Sequence, residues 1–195
     1  LVINLLSMVY PDGFNEVSAF MSANPIVQFV MQPILLLGVV YHFVMGFVLE
    51  IQNKKARGPV AYAKYNGAAN ATWMSRNMII SGAVILLFLL VHLWQFWVPT
   101  IDAHYISRDP QFGQGNFFMD HVNHVFTSAV TLVLYVVAFV FLSLHLQHGF
   151  SSAFQSIGAR HPKYTPCIVA FGKWYSILVP ALFIVIAVYH FVNNL

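Results

Sequence analysis

Charge is scarce in this chain of 195 residues, with nine Lys or Arg and six Asp or Glu, 8% of the total. Soluble domains carry about 25% charged residues. A chain this poor in them cannot clothe a water-facing surface, so a bilayer has to serve as solvent for much of it. Cysteine is nearly absent as well. The one thiol, Cys167, excludes a disulfide framework, a Cys-ligated iron–sulfur cluster and a structural zinc finger. The apolar start, residues 1–10, has no basic region before it and no small-residue cleavage site after it, which argues against a signal peptide. Internal repeats and low-complexity tracts are also missing. The formal net charge of +3 carries no argument for nucleic acid.

What the chain has instead is apolar length. Four runs, 17–49, 77–101, 121–159 and 174–195, contain no Asp, Glu, Lys or Arg. Each exceeds the ~20 residues that cross ~30 Å of hydrocarbon as a helix. Trimmed at Pro, Gly and polar clusters, they predict helices near 26–52, 76–99, 122–157 and 172–194. Asn24-Pro25 reads as an entry cap with Pro in the first turn. Pro33 is expected to kink the first long helix and Pro99 to close the second. Residues 1–10 stop at Pro11-Asp12-Gly13 and rise only ~15 Å as a helix. They read as the second half of a helix whose first half lies upstream of Leu1. The stretch 14–23 has helical spacing of Phe14, Val17, Phe20 and Met21 and suits a short helix in the outer interface. The fold class expected is all-α: an integral membrane bundle of five transmembrane helices, the first truncated, forming a single transmembrane domain over 1–195.

The few charges orient it. Lys54, Lys55, Arg57, Lys64 and Arg76 follow the first long helix, and Arg160, Lys163 and Lys173 precede the last. With alternating helices these two loops share one side. The other side has Asp12, Glu16, Asp102, Asp109 and Asp120 against Arg108 alone. The positive-inside rule puts the basic loops in the cytoplasm and the C-terminus outside.

Nine histidines in so apolar a chain are functional suspects, because imidazoles are costly in hydrocarbon. His42 and His145 each lie about 12 residues, ~18 Å, from the cytoplasmic end of their helices. At matched depth they can face one another and offer Nε2 to one iron from opposite sides, as in a bis-His haem. Interhelical hydrogen bonding is the plainer use of such residues. His92 lies ~10 Å from the outer boundary, at a different level, where its partner would fall near residues 1–3, upstream of them, or at His190. His148, one turn beyond His145, competes as a ligand or as a propionate partner. His104, His121, His124 and His161 fall in loops or at helix ends and read mostly as solvated. Arg76 and Ser75 suit propionate contacts on the inner side. A quinone exchanging two electrons also exchanges two protons, so a quinone site needs an acid or base near water, and Glu16 is the outer candidate.

Several strings taken together resemble the cytochrome b membrane-anchor subunit of succinate:quinone oxidoreductases and fumarate reductases, in its single-chain five-helix two-haem type. They are NPIVQFVMQP (24–33), YHFVMGFVLEIQNKKAR (41–57), NGAANATWMSRNM (66–78), LLVHLWQFWVP (89–99) and HLQHGFSSAFQSIG (145–158). The resemblance implies two b haems. His42 and His145 would hold the inner one, with His145 preferred to His148 because Gly149 stands four residues after it. His92 would hold the outer haem, with a partner expected upstream of Leu1. It further implies a bacterial cytoplasmic membrane, menaquinone or menaquinol as bound substrate, and FAD-containing and iron–sulfur subunits on the cytoplasmic face. Where some relatives carry a membrane glutamate before the fourth-helix ligand, this chain has Leu142, Ser143 and Leu144. A cytochrome b anchor of another respiratory oxidoreductase, or a cofactor-free transporter or scaffold, is the rival reading.

Overall fold

The computed structural model describes residues 1–58, 76–159 and 161–195. The regular structure of the described residues is entirely helical. The helices are α1 (Val2–Val9), α2 (Pro11–Ala23), α3 (Val27–Arg57), α4 (Met78–Ile106), α5 (Phe117–Val125), α6 (Ala129–Ser156) and α7 (Thr165–Asn193). Four of them, α3, α4, α6 and α7, are long and apolar enough to cross a membrane. The all-α class and four long apolar helices therefore agree with the sequence, while α1, at eight residues, spans nothing by itself.

Helix boundaries differ from the expected ones for identifiable reasons. α3 does enter at Asn24, whose Oδ1 accepts from the N–H groups of Ile26 at 2.9 Å and Val27 at 3.3 Å. It runs on to Arg57 rather than 52, because Glu50 pairs with Lys54 one turn later at 3.2 Å. Lys54, Lys55 and Arg57 also sit at the end of the helix where the macrodipole favours cations. Gly58 then stops it at φ 74°, a left-handed conformation open to glycine. Pro99 does not close α4. A wide π-type turn over Leu93–Trp97 precedes it, and the helix continues to Ile106. Proline removes one N–H and crowds the carbonyl four residues earlier, and a widened turn absorbs both effects. Pro33 has the same solution in the π-type turn Val27–Met31. The segment expected as one helix over 122–157 is two, parted at 126–128, where Ser128 caps α6 by accepting from Thr131 N–H. The last helix begins at Thr165, with Pro166 in its first turn, instead of 172.

Packing is uneven. α6 and α7 approach closely through small residues, Ala138, Ser176 and Ala187, all nearly inaccessible. This is the usual way for helices to meet where hydrophobicity cannot drive them together. At Gly172 the ring of Phe150 occupies the space a Cβ would need. Phe126, Tyr135, Phe139 and Ala187 form the core, with Phe88, Phe96 and Phe183 against it. α3 stands apart: it is tied to α4 near its outer end by Trp97 Nε1 donating to Gln32 Oε1 at 3.2 Å and by Phe29 against Tyr105. From Gln32 to Arg57 it buries no residue.

The end of the bundle away from Lys54, Lys55 and Arg57, expected from the charges to be the outer one, is roofed. α2, expected as an interfacial helix, buries Phe14 and Asn15. Asn15 Oδ1 accepts from Phe118 N–H at 3.1 Å and Met119 N–H at 3.0 Å, taking the place of the missing side-chain cap on α5.

Two outcomes are expected. Gly172→Leu overpacks the α6–α7 contact and lowers stability by about 1–3 kcal/mol in detergent unfolding, and Phe150→Ala in the same chain recovers part of the loss. Cys167 is exposed at the start of α7, and the orientation expected from the basic loops has a membrane-impermeant maleimide labelling it in inverted vesicles and sparing it in right-side-out ones.

Candidate functional site: two histidine centres at different depths

The inner centre lies between α3, α4 and α6. The rings of His42 and His145 stand 6.1 Å apart between centroids and are nearly perpendicular, at 79°. Two imidazole nitrogens each bonded at about 2.0–2.1 Å to one ion between them put ring centroids roughly 6 Å apart. It is His145, not His148, that faces His42. Ser81, which is buried, sets the tautomer of His145. Its hydroxyl has one proton, which it donates to the Met78 carbonyl at 3.0 Å, so it accepts at 3.1 Å from His145 Nδ1–H. His145 Nε2 is then the nitrogen with a free lone pair. A hydrogen bond behind the ligand that leaves the coordinating nitrogen bare is the usual support of a metal-binding imidazole.

A Cβ at Gly82 would meet His145 Cε1 at 3.5 Å, and those at Gly38 and Gly46 would meet nothing within 4 Å. α3 buries no residue between Gln32 and Arg57. Among the described residues no group of three or more His, Cys, Asp or Glu could hold a bare metal ion. A two-imidazole centre instead suits a macrocycle that brings four nitrogens of its own, and the residues here fit a haem.

The outer centre is built on Gln95. Tyr135 donates its hydroxyl proton to Gln95 Oε1 at 2.9 Å, so its oxygen accepts from His92 Nδ1–H at 3.1 Å. His92 therefore also presents a bare Nε2, and its ring lies between Phe88 and Phe96. Pro99 has no N–H to offer the Gln95 carbonyl, and His121 Nε2–H donates to it at 2.7 Å. A cavity of about 470 Å³ opens here, with Ser7, Ser18, Phe88, His92, His121 and Phe183 in its wall. That is within the range of small-molecule and cofactor sites.

Other sequence-predicted residues fall elsewhere. His190 is not available as the second outer ligand, because both ring nitrogens are engaged, Nε2 with Ser7 Oγ at 2.8 Å and Nδ1 with Asn123 Oδ1 at 3.3 Å. Glu16 is exposed and is not among the residues lining the cavity. Arg76 is exposed two residues before α4; Ser75 lies outside the described residues. His121 and His104, expected as solvated, are not. His121 is a cavity wall. His104 is stacked between Tyr105 and Phe112 and donates from Nδ1 to the Ser22 carbonyl at 3.1 Å. The sequence signal for His121 is Pro99, which frees the carbonyl of Gln95 in a segment where no water can replace its partner. Set against protein-family models, curated proteins and solved structures, the chain matches none.

Proposed function

We propose that the chain is the haem b membrane subunit of a succinate dehydrogenase or fumarate reductase. In this reading it anchors flavoprotein and iron–sulfur subunits at its basic cytoplasmic loops and carries electrons between them and menaquinone. The observation that carries the reading is the His42–His145 pair, with centroids at 6.1 Å and the Nε2 of His145 left bare by the Ser81 bond. The resemblance of the quoted strings supplies the narrower identity.

His42 and His145 would hold the inner haem, and His92 would hold the outer one. A b haem, when bound, supplies a one-electron iron couple, and the protein tunes it through ligand, hydrogen bonding and dielectric. Ser81 and Tyr135 do the same work at the two levels. Each accepts the Nδ1 proton of a ligand imidazole and passes its own hydroxyl proton to a fixed oxygen, Met78 O or Gln95 Oε1. Ligand orientation is thereby set before any haem arrives. Phe88 and Phe96 exclude water around His92. On the inner face Lys54, Lys55, Arg57, Lys163 and Lys173 offer the positive surface on which peripheral subunits dock, and Arg76 is the candidate cation for an inner propionate.

A reduced-minus-oxidised spectrum of the purified protein should show a b-type α band, and its absence would falsify the haem reading in favour of a transporter or scaffold. His42→Ala and His145→Ala should each abolish the inner haem alone, and His92→Ala the outer one alone. Ser81→Ala and Tyr135→Phe should weaken retention of the inner and outer haem respectively by about 10–100-fold, read by haem titration. Co-purification of a hydrogenase or formate dehydrogenase in place of a dicarboxylate enzyme would reassign the partners.

A further inference from the structure

The cavity at the outer centre changes character along its depth. Toward the inner centre its wall is Phe88, Phe139, Phe183 and Ile186, with Phe139 and Phe183 stacked at 5.3 Å. Along α4, Phe88 lies one turn, about 6 Å, inward of His92, and Thr100 lies roughly 12 Å outward of it. In the outer part the wall is polar, with Ser18 and Ser22 from α2, Thr100 from α4 and His121 from α5. Among the described residues no Asp, Glu, Lys or Arg lines the cavity. An occupant matched to this wall has an apolar body and a polar end, and the polar end lies outward.

The protons of the outer wall decide what that end can be. His121 Nε2 faces the Gln95 carbonyl at 2.7 Å, and a carbonyl has no proton to give, so the nitrogen donates. Thr100 spends its single proton on the Phe96 carbonyl at 2.8 Å. Ser18 Oγ, Ser22 Oγ and His121 Nδ1 bond to no described residue, and none of the three is sealed in protein. Ser18 and Ser22 stand four residues apart and share one face of α2. That helix is itself held in place. Asn15 Oδ1 takes the N–H groups of Phe118 and Met119, and the Ser22 carbonyl takes the proton of His104 Nδ1 at 3.1 Å. Two hydroxyl protons are therefore free in the wall, and a charged His121 adds a third donor without giving up its bond to Gln95. A neutral carbonyl oxygen would leave most of this set idle. A carboxylate has two oxygens, about four lone-pair sites and a charge that strengthens each bond. Between His121 and a carboxyl group one proton is held in either form, as imidazolium with carboxylate or as neutral Nδ1 accepting from the acid.

We infer that Ser18, Ser22 and His121 form the seat for the carboxyl end of the cavity's occupant, an apolar-bodied carboxylic acid held with its acid group toward the outer face. This rests on the proposed haem reading, in which the occupant is the outer haem, bound through His92, and the acid groups are its propionates. The seat decides which way round the macrocycle enters. Reversed, its carboxylates would lie among Phe88, Phe139 and Phe183 with no donor, and burial of an unpaired charge forbids that orientation. A long-chain fatty acid presents the same chemistry without a metal.

The test is ligand titration of the full chain in detergent, in a His42→Ala background so that only the outer site is read. Haem is compared with its dimethyl ester, in which both propionates are capped. The outer site should favour free haem over the ester roughly ten-fold or more. His121→Ala, and separately Ser18→Ala combined with Ser22→Ala, should weaken free haem several-fold while leaving the ester within about two-fold, so that the preference shrinks. Equal affinity of the unmutated seat for haem and ester overturns the proposal. So does a variant that loses both in parallel, which is what a purely structural tie of His121 to Gln95 would produce. Should His121→Ala fail to fold, the acid-to-ester ratios of the unmutated seat and of the serine pair decide. If the wild-type chain binds no haem at all, the functional reading falls, and a long-chain fatty acid against its methyl ester becomes the probe. A preference for the acid of roughly ten-fold that His121→Ala removes keeps the seat, and no preference overturns it.

Discussion

The outer half of the molecule depends on the two oxygens of Gln95. In hydrocarbon every backbone and side-chain polar group needs a protein partner, because no water is there to supply one. Pro99 has no N–H to offer the Gln95 carbonyl, and His121 donates to that carbonyl from α5. The side-chain oxygen of the same residue takes the Tyr135 proton, which leaves the Tyr135 oxygen to take the proton of His92. One proline in α4 therefore positions an imidazole from another helix, and one glutamine determines which nitrogen of His92 stays bare. Remove the constraint of satisfaction and neither histidine has a reason to hold its present tautomer.

The same bookkeeping of single protons governs the inner centre. A hydroxyl can donate only once, so Ser81, committed to the Met78 carbonyl, must accept from His145. The two centres use different residues on different helices, serine on α4 behind a histidine on α6, and tyrosine on α6 behind a histidine on α4. They reach the same result, an imidazole held by Nδ1 with Nε2 left bare. Two independent solutions to one geometric requirement are harder to attribute to packing than a single buried histidine would be.

Much of this was legible in the sequence, and the limits have physical causes. Helix periodicity and charge-free length locate the four long helices, because the bilayer dictates both. Depth counting pairs His42 with His145, because a helix converts residue number into distance at a fixed rate. The same counting cannot see rotation about a helix axis. It left His190 open as a ligand although its ring is closed by Ser7 and Asn123. Boundaries went astray at Pro99 and at 126–128. Proline was read there as a terminator when a π-type turn had absorbed it, and a cap at Ser128 was hidden inside an apolar run.

The contrast between the two ends of α3 bears on why the site lies where it does. Near its outer end α3 is pinned to α4 by Trp97 and Tyr105, while from Gln32 to Arg57 it buries nothing. α6 and α7, by comparison, close on each other so tightly that Phe150 fills the place of a Cβ at Gly172. Helices in lipid gain little from apolar contact alone, so a helix without small-residue packing or polar ties needs another reason to stay beside its neighbours. His42 is the polar group that α3 turns toward α6 in that loose stretch. A macrocycle ligated from both sides would join the two helices there through the metal, supplying the contact that their own side chains do not make.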